Sequence, residues 1–499
     1  MRHNYIIRLL LLIICTAALG KIQAQNIFLD RSFWKSNPSI AAIEQKIKEG
    51  NDPAELNEYN FNATVYAIIG GMSSEAIIYL LKQKGNDIDV ITHDGRTYLH
   101  WAAMGGQVDL MKYLVENGIK TGAVDDHGYT EITFAATTGQ QNAAVYDFLL
   151  ANGSKITDTN HDGANALLLL IPHLKDFTMV DYLTSKGLEL DSNDNDGNGA
   201  FYYAAKTGNI DMMDKLIKKG IAYKENNKVG GNAMIAAGQG TRYGPNSLAV
   251  FQHLEKLGID PNVTTHEGVT PLHLLAGRTK DTSVLTYFIG KGVDINQADN
   301  DGNTPLMNAA RGNELEVVKY IAEKTKNINA ANESGNTALS HAIARNNYEV
   351  VDYLISKGAD VQVKDKEGNS LACYLMESYR RGQEDQFEKK LNLLKAKGLD
   401  MKAIQAKGKT LFHLAVEAND LYLVKKAKDN AADVNKANDA GATPLQIAAM
   451  KASDDVILKY LLEIGANKNV VTDFDETVFD LAQENEQLKK KGVDIQFLK

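Results

Sequence analysis

An all-α repeat solenoid, built from helix-turn-helix units joined by hairpin fingers, is the fold predicted by this 499-residue chain. Two glycine ladders and one fixed interval predict it. The first ladder is Gly95, Gly128, Gly163, Gly197, Gly230, Gly268, Gly302, Gly335, Gly368, Gly408 and Gly441, mostly 33 or 34 residues apart. Self-similarity at that period means one small unit copied along the chain, each copy burying its apolar face against its neighbours because it cannot do so alone. The second ladder, from Gly85, Gly118 and Gly153 through Gly398 to Gly465, closes apolar helical patterns such as YLVENG and YLISKG. From Gly85 to Gly95, Gly258 to Gly268 and Gly398 to Gly408 the interval is always ten residues, so the length variation falls in the other part of each repeat.

Each element follows from local chemistry. Arg2 and Arg8 precede an apolar run from Leu9 to Leu19, followed by GKIQAQ, the pattern of a secretory signal peptide over residues 1–24 with cleavage after Ala24. The run is too short to span a bilayer, and Ile14 before Cys15 argues against a lipoprotein signal. Residues 25–61 form an N-terminal cap segment with a helix over 38–49, where Ile40, Ile43 and Ile47 recur at helical spacing. Within a repeat, the glycine past the last apolar turn suits a left-handed helix C-cap, and turn sequences such as NDNDG and ADNDG suit a hairpin. A short helix follows the first-ladder glycine, then a longer one with Val108, Met111, Leu114 and Val115 on one face. The solenoid covers residues 62–485, about 12–13 repeats with a divergent one at either end, and residues 486–499 form a C-terminal cap or tail.

Thr270-Pro271-Leu272-His273 opens one of the short helices, Thr304-Pro305-Leu306 and Thr443-Pro444-Leu445 open two others, and Thr97, Leu99 and His100 keep the pattern with Tyr98 in place of Pro. With the period, this signature resembles the ankyrin repeat family. Weaker copies begin at Thr130, Asn165, Asn232, Thr337, Ser370 and Thr410. The signature's chemistry is structural: Thr caps the helix, and Pro sits in the first turn, where its missing N–H has no partner to lose. The resemblance implies that His100, His273 and His413 hydrogen-bond neighbouring loop groups rather than act as ligands.

Composition excludes other roles. Without Arg2, Arg8 and Lys21, 51 of the 54 Lys and Arg remain against 63 Asp and Glu, a net charge of −12. An acidic, exported chain lacks the basic stripe that nucleic-acid binding needs. With Cys15 removed, Cys373 stands alone, so no intrachain disulfide forms, and its place in the signature predicts burial as a small hydrophobe. Asp194, Asp196 and Gly197 resemble part of a calcium loop, but Ser192 and Tyr203 stand where acids are required. His93, His127, His161 and His266 lie on different turns without zinc-site spacing. There is no phosphate loop, nucleophile elbow or H-E-x-x-H helix. No catalytic site, cofactor or metal is expected.

Recognition remains. In proteins of this resemblance, partners lie against the finger tips and the residues after the first helix. By position these are His93, Asp94, Arg96, Asp126, His127, Tyr129, His161, Asp162, Asn195, Asp196, Asn300, Asp301 and Asn303 on the fingers. Beyond the helix they are Met104, Thr137, Thr138, Lys206, Thr207, Arg311 and Arg345. Acids and histidines dominate the fingers up to Asp301, and Lys364, Lys366, Lys402, Lys407 and Lys409 the later ones, a gradient suited to orienting a partner. Insertions between the two helices of a repeat, at Gly238–Ser247 and Glu377–Gln386, place Arg242 beside Tyr243 and Arg380 beside Tyr379, a combination frequent at binding hot spots. The expectation is a monomeric protein-interaction scaffold, periplasmic or secreted and bacterial. A dedicated inhibitor or immunity-like partner of one exported enzyme or toxin is the alternative, and an enzyme with an unrecognised site is a third class.

Overall fold

A computed structural model describes residues 26–499, and the expected signal peptide lies outside the described residues. The described chain is helical, with isolated antiparallel bridges in place of extended strands, as an all-α repeat solenoid requires. It groups into two compact units, one ending at Tyr223 and the other spanning Lys224–Lys499. The first holds five helix pairs, from Ala63–Ile69 with Ser74–Leu81 to Ala200–Lys206 with Ile210–Lys218. The second holds eight, from Ala233–Gln239 with Leu248–Lys256 to Val478–Glu484 with Glu486–Lys490.

Sequence dictates each helix locally. Thr97, Thr130, Asn165, Asn232, Thr270, Thr304, Thr337, Ser370, Thr410 and Thr443 are all N-caps of first helices. Pro271, Pro305 and Pro444 follow at the first helical position, where proline is pre-organised. The second helix Val108–Glu116 buries Leu110, Met111 and Leu114 fully, while Val108 and Val115 sit half-buried at the edge of the stripe, one step off the face predicted for them. Its end is closed by Gly118 at φ 107°, with Ile119 N–H donating to the Leu114 carbonyl at 3.1 Å and Gly118 N–H to the Val115 carbonyl at 3.1 Å. That is the left-handed cap that satisfies orphan carbonyls. At one of the two places where the second ladder lacks a glycine, Ala431 adopts φ 54° instead.

The two end repeats lack the first-ladder glycine, and Asn60 and Asp475, each at φ 60°, take its conformation. Short polar side chains tolerate that region because they hydrogen-bond locally. Ahead of the first repeat the helix Ile40–Lys48 is capped by Ser39 and buries Ile43. An unforeseen short helix, Arg31–Lys35, buries Trp34, whose Nε1 donates to the Phe28 carbonyl at 2.8 Å. At the other end Leu498 is buried and Lys468 Nζ donates to the Phe497 carbonyl at 3.2 Å, so the tail folds back on the last repeats.

Three kinds of hydrogen bond join consecutive repeats. The first uses the signature histidine. Thr270 N–H donates to His273 Nδ1 at 3.1 Å, which makes Nδ1 the acceptor and leaves the proton on Nε2, 3.1 Å from the Asn303 carbonyl of the next repeat. His100 reaches the Tyr129 carbonyl at 3.2 Å and His413 the Ala442 carbonyl at 3.0 Å in the same way. Burial depresses all three histidines, His100 to about 4, because an imidazolium there would lose water and the acceptor nitrogen at once. The second kind is an amide at the start of a second helix reaching back to carbonyls that end the preceding repeat's first helix. Asn313 Nδ2 donates to Ala276 at 2.7 Å and Thr279 at 2.8 Å, and Asn485 Nδ2 to Ala449 at 3.0 Å and Ala452 at 2.9 Å. Those terminal carbonyls have no partner within their own helix. The third kind runs between fingers.

Cys373 is buried, as its place in the signature predicts, with Sγ 3.8 Å from Glu377 Oε1. Burial, reinforced by Glu377, pushes its thiol up to about 12. The thiolate is the reactive form. Native protein is therefore expected to resist iodoacetamide at pH 8 and to be alkylated at Cys373 once denatured, which mass spectrometry reads directly; modification in the native state at the rate of a free thiol would contradict the placement.

Candidate partner-binding surface

Most fingers are built around an Asp or Asn three residues before the glycine, and Thr92, Thr265 and Gln405 stand there in the others. Asp125 Oδ1 accepts from the N–H groups of His127 and Tyr129, both at 2.9 Å, and the Asp125 N–H closes the hairpin on the Tyr129 carbonyl at 2.9 Å. Asn160, Asp194, Asn227, Asp299, Asn332, Asp365 and Asn438 repeat the arrangement. Short acceptor side chains nucleate turns in this way. In Asp194, the anchor of the calcium-like segment, both oxygens are occupied by the N–H groups of Asp196 and Asn198, the Asn198 amide and the Tyr203 hydroxyl.

Backbone then ties finger to finger. Asp126 N–H donates to the Asp94 carbonyl at 2.9 Å and Asn195 N–H to Asp162 at 2.8 Å. In the second unit Asn300 N–H donates to Glu267 at 2.9 Å and Glu333 N–H to Asp301 at 2.7 Å. This approach explains most of the first glycine ladder, whereas Gly368 and Gly441 face open space and answer to their positive φ alone. A Cβ on Gly163 would lie 2.2 Å from Asn195 Oδ1, and one on Gly128 would lie 2.7 Å from the His161 backbone nitrogen.

The register divides the finger residues into two sets. Residues two before the glycine, among them Asp126, His161, Asn195 and Asn300, lie over the preceding finger's glycine. Asn300 Nδ2 also donates to the His266 carbonyl at 2.9 Å and Asn195 Nδ2 to the His161 carbonyl at 3.2 Å. Residues one before the glycine form the tips: His127, Asp162, Asp196 and Asp301 are exposed. In the first finger Asp94 is half-buried, and its Oδ2 receives Arg96 Nη1 at 3.1 Å, with His127 Nε2 at 3.3 Å and His93 Nε2 at 3.4 Å.

Arg96, although on a finger, is only 8 % exposed. Its Nε donates to the buried Asp125 at 2.8 Å, and its guanidinium lies 4.3 Å from the Phe134 ring and 5.3 Å from Trp101. Phe61 stacks on His93 at 4.4 Å. This Arg-aromatic cluster is internal support for the first fingers, and sequence reasoning had no signal that its arginine turns inward. Asn303 and Tyr129 lend their carbonyls to the signature histidines. The residues expected beyond the first helix sit at its very end instead: Met104, Thr137, Lys206 and Arg345 are last helical residues and Thr138, Thr207 and Arg311 the caps after them, with Lys206, Arg311, Arg345 and Thr138 exposed and Met104, Thr137 and Thr207 half-buried. Among the later lysines, Lys364, Lys366, Lys402 and Lys407 are exposed and Lys409 pairs with Glu417 at 2.8 Å.

The insertions differ. Tyr243 is 84 % exposed, with Arg242 over its ring at 4.8 Å and donating to its hydroxyl at 2.6 Å. The Arg278 side chain bonds the Gln239 and Thr241 carbonyls and so holds the loop from the next repeat. In the second insertion Tyr379 packs inward on Tyr422 with ring centroids 4.9 Å apart. Among the described residues no group of three or more His, Cys, Asp or Glu is placed to hold a metal ion.

The family model described as ankyrin repeats in three copies matches residues 35–125, 64–160, 132–228, 233–331, 272–365 and 376–485. The chain belongs to the ankyrin repeat family. Similar relatives include the transient receptor potential cation channel subfamily A member 1 of Homo sapiens, 25% identical over 280 residues, 54% of this chain and 25% of that protein. A putative palmitoyltransferase ZDHHC13 of Danio rerio is 25% identical over 203 residues, 40% of this chain and 31% of the relative. The neurogenic locus notch homolog protein 1 of Mus musculus is 30% identical over 127 residues, 25% of this chain and 5% of the relative. The ankyrin chain thus spans a third or less of the length of these relatives. Ankyrin repeats make it a protein-interaction scaffold, and among the described residues no helix is long and apolar enough to cross a membrane.

Proposed function

We propose that this ankyrin protein is an exported, monomeric scaffold that holds a protein partner along its finger tips and the residues following its first helices. The observation that carries this reading is the finger ladder: side chains at the tips project from backbone already fixed by turn anchors and finger-to-finger bonds, so a partner meets a surface whose ordering cost was met in folding. The relatives support a binding role in a second way. Proteins named as a channel, a palmitoyltransferase and a notch homolog each align with a stretch of this repeat chain over a third or less of their own length, which supports reading the repeats as a component used for recognition in different settings. Export rests on the Arg2–Leu19 pattern and on the small residue Ala24.

The test is crosslinking in the native compartment with the full chain. One dominant partner, crosslinked at the tips, is expected, and the N-terminus of the mature protein is expected to be Gln25. Replacing His127, Asp162 and Asp196 together with Ala is expected to weaken capture by roughly tenfold or more, the scale of one hot-spot residue, with Tm unchanged. Undiminished capture by that variant would place the partner elsewhere, and recovery of an uncleaved chain in the cytoplasm would remove the exported part of the reading.

A further inference from the structure

In the second unit a cavity of about 370 Å³ opens where the helix Ala338–Arg345 ends against the insertion at 377–386 and the helix Glu384–Ala396. Arg345, Arg380 and Lys390 line it together with Ser378, Gln383 and Gln386, and none of its lining residues is acidic. Lys390 decides what it can hold. Only 4 % of this residue is exposed, and its Nζ makes a single hydrogen bond, to the Ile343 carbonyl at 2.9 Å. An ammonium has three donors to place, and a buried charge is costly unless it is paired. The neighbouring acids are engaged elsewhere: Glu384 Oε1 accepts from the Gly382 N–H at 3.0 Å and the Tyr379 hydroxyl at 3.2 Å, and Asp385 pairs with Lys389 at 2.7 Å. Burial and the adjacent Arg380 hold the lysine down at about 8, the direction of a cation without its counter-charge.

We propose that this cavity binds a small, polar organic anion, whose phosphate or carboxylate completes the donor set of Lys390, Arg380 and Arg345. Guanidinium groups match phosphate and carboxylate oxygens two at a time. The volume is that of a small-molecule site, and Ser378, Gln383 and Gln386 suit a hydroxylated body better than an apolar one. Arg345, the exposed last residue of a first helix, also belongs to the surface proposed for a partner, but the site requires no protein partner, so its test is independent of the scaffold reading.

The full mature chain is titrated calorimetrically with inorganic phosphate, glucose 6-phosphate and citrate, with glucose as the uncharged control. At least one anion is expected to bind with one-to-one stoichiometry and glucose not at all. Lys390→Met, which replaces the buried charge with an apolar chain of similar length, and Arg380→Ala, a change at an exposed position, are each expected to weaken that anion at least fivefold. Absence of binding by all three anions, equal binding of glucose, or a smaller loss in either folded variant would overturn the proposal. If Lys390→Met does not fold, Arg380→Ala decides alone.

Discussion

Gly128→Ala is expected to lower the stability of the first unit by about 2–5 kcal/mol, against about 1–2 kcal/mol for Gly118→Ala in the same unit. Both glycines have positive φ, 80° and 107°, which costs an L-residue roughly 1–2 kcal/mol. Only Gly128 is also crowded. Its Cβ would stand 2.2 Å from His161 Cδ2 and 2.7 Å from the His161 backbone nitrogen, whereas Gly118 faces open space. The side chain can turn aside, but the backbone nitrogen belongs to the next finger and moves only if the fingers separate, adding roughly 1–3 kcal/mol of overpacking strain. Trp34 and Trp101, the only two tryptophans of the chain, both lie in this unit, so urea unfolding followed by tryptophan fluorescence reports on it selectively. Equal losses for the two variants would show that conformation alone, and not finger contact, selects glycine at the turn.

Acid is expected to destabilise Glu131→Gln more than the wild-type protein. Two buried groups in the first unit titrate in opposite senses. His100 is lowered from 6.5 to about 4 by burial, so below pH 6.5 the unfolded chain binds a proton that the folded unit refuses until about pH 4, and stability falls through that window. Its full cost is about 3 kcal/mol at 1.36 kcal/mol per pKa unit. Glu131 is fully buried, with its carboxylate accepting from the Gly122 N–H at 2.9 Å and the Ala123 N–H at 3.3 Å. Burial outweighs those bonds and raises it from 4.5 to about 6, so its contribution is complete below pH 4.5 and is lost as pH rises through 6, a swing of about 2 kcal/mol. Between pH 6 and 4.5 the two slopes oppose each other. Removing the carboxyl exposes the histidine slope, and the difference in urea midpoint between pH 7 and pH 4 should grow by the equivalent of about 2 kcal/mol. Parallel pH profiles for the two proteins would mean that Glu131 does not titrate in this way.

Repeat period, helix order, caps and the structural role of the signature histidines were legible in the sequence because each recurs at a fixed offset from a glycine. The turn anchors such as Asp125 and the amide bridges from Asn313 and Asn485 also recur, but the helix-to-helix spacing varies between repeats and hides the second set. Arg96 and Lys390 were not legible. Both are long charged residues in polar stretches, and whether such a chain runs outward or folds in over its neighbours depends on packing partners such as Phe134, Asp125 and the Ile343 carbonyl that adjacent repeats supply. The tips of the candidate surface were predicted by position, yet the division between residues lying on the preceding glycine and residues projecting beyond it emerges only when two fingers are seen side by side.

The junction chemistry bears on how such a chain changes length over generations. In repeats that carry both devices, the histidine of one repeat binds a carbonyl of its successor, and an amide of the successor binds carbonyls of its predecessor, as His273 with Asn303 and Asn313 with Ala276. The repeat of His100, whose Gln107 Nε2 also reaches back to the Met72 carbonyl at 2.7 Å, carries one half of the joint on either side. Duplicating such a period brings two matching halves together and rebuilds a complete joint, whereas an unequal exchange with breakpoints inside a finger strands a helix end without its donor. Selection on the protein's reach can then act by adding such repeats whole, with the bonds that hold neighbours together carried along unchanged.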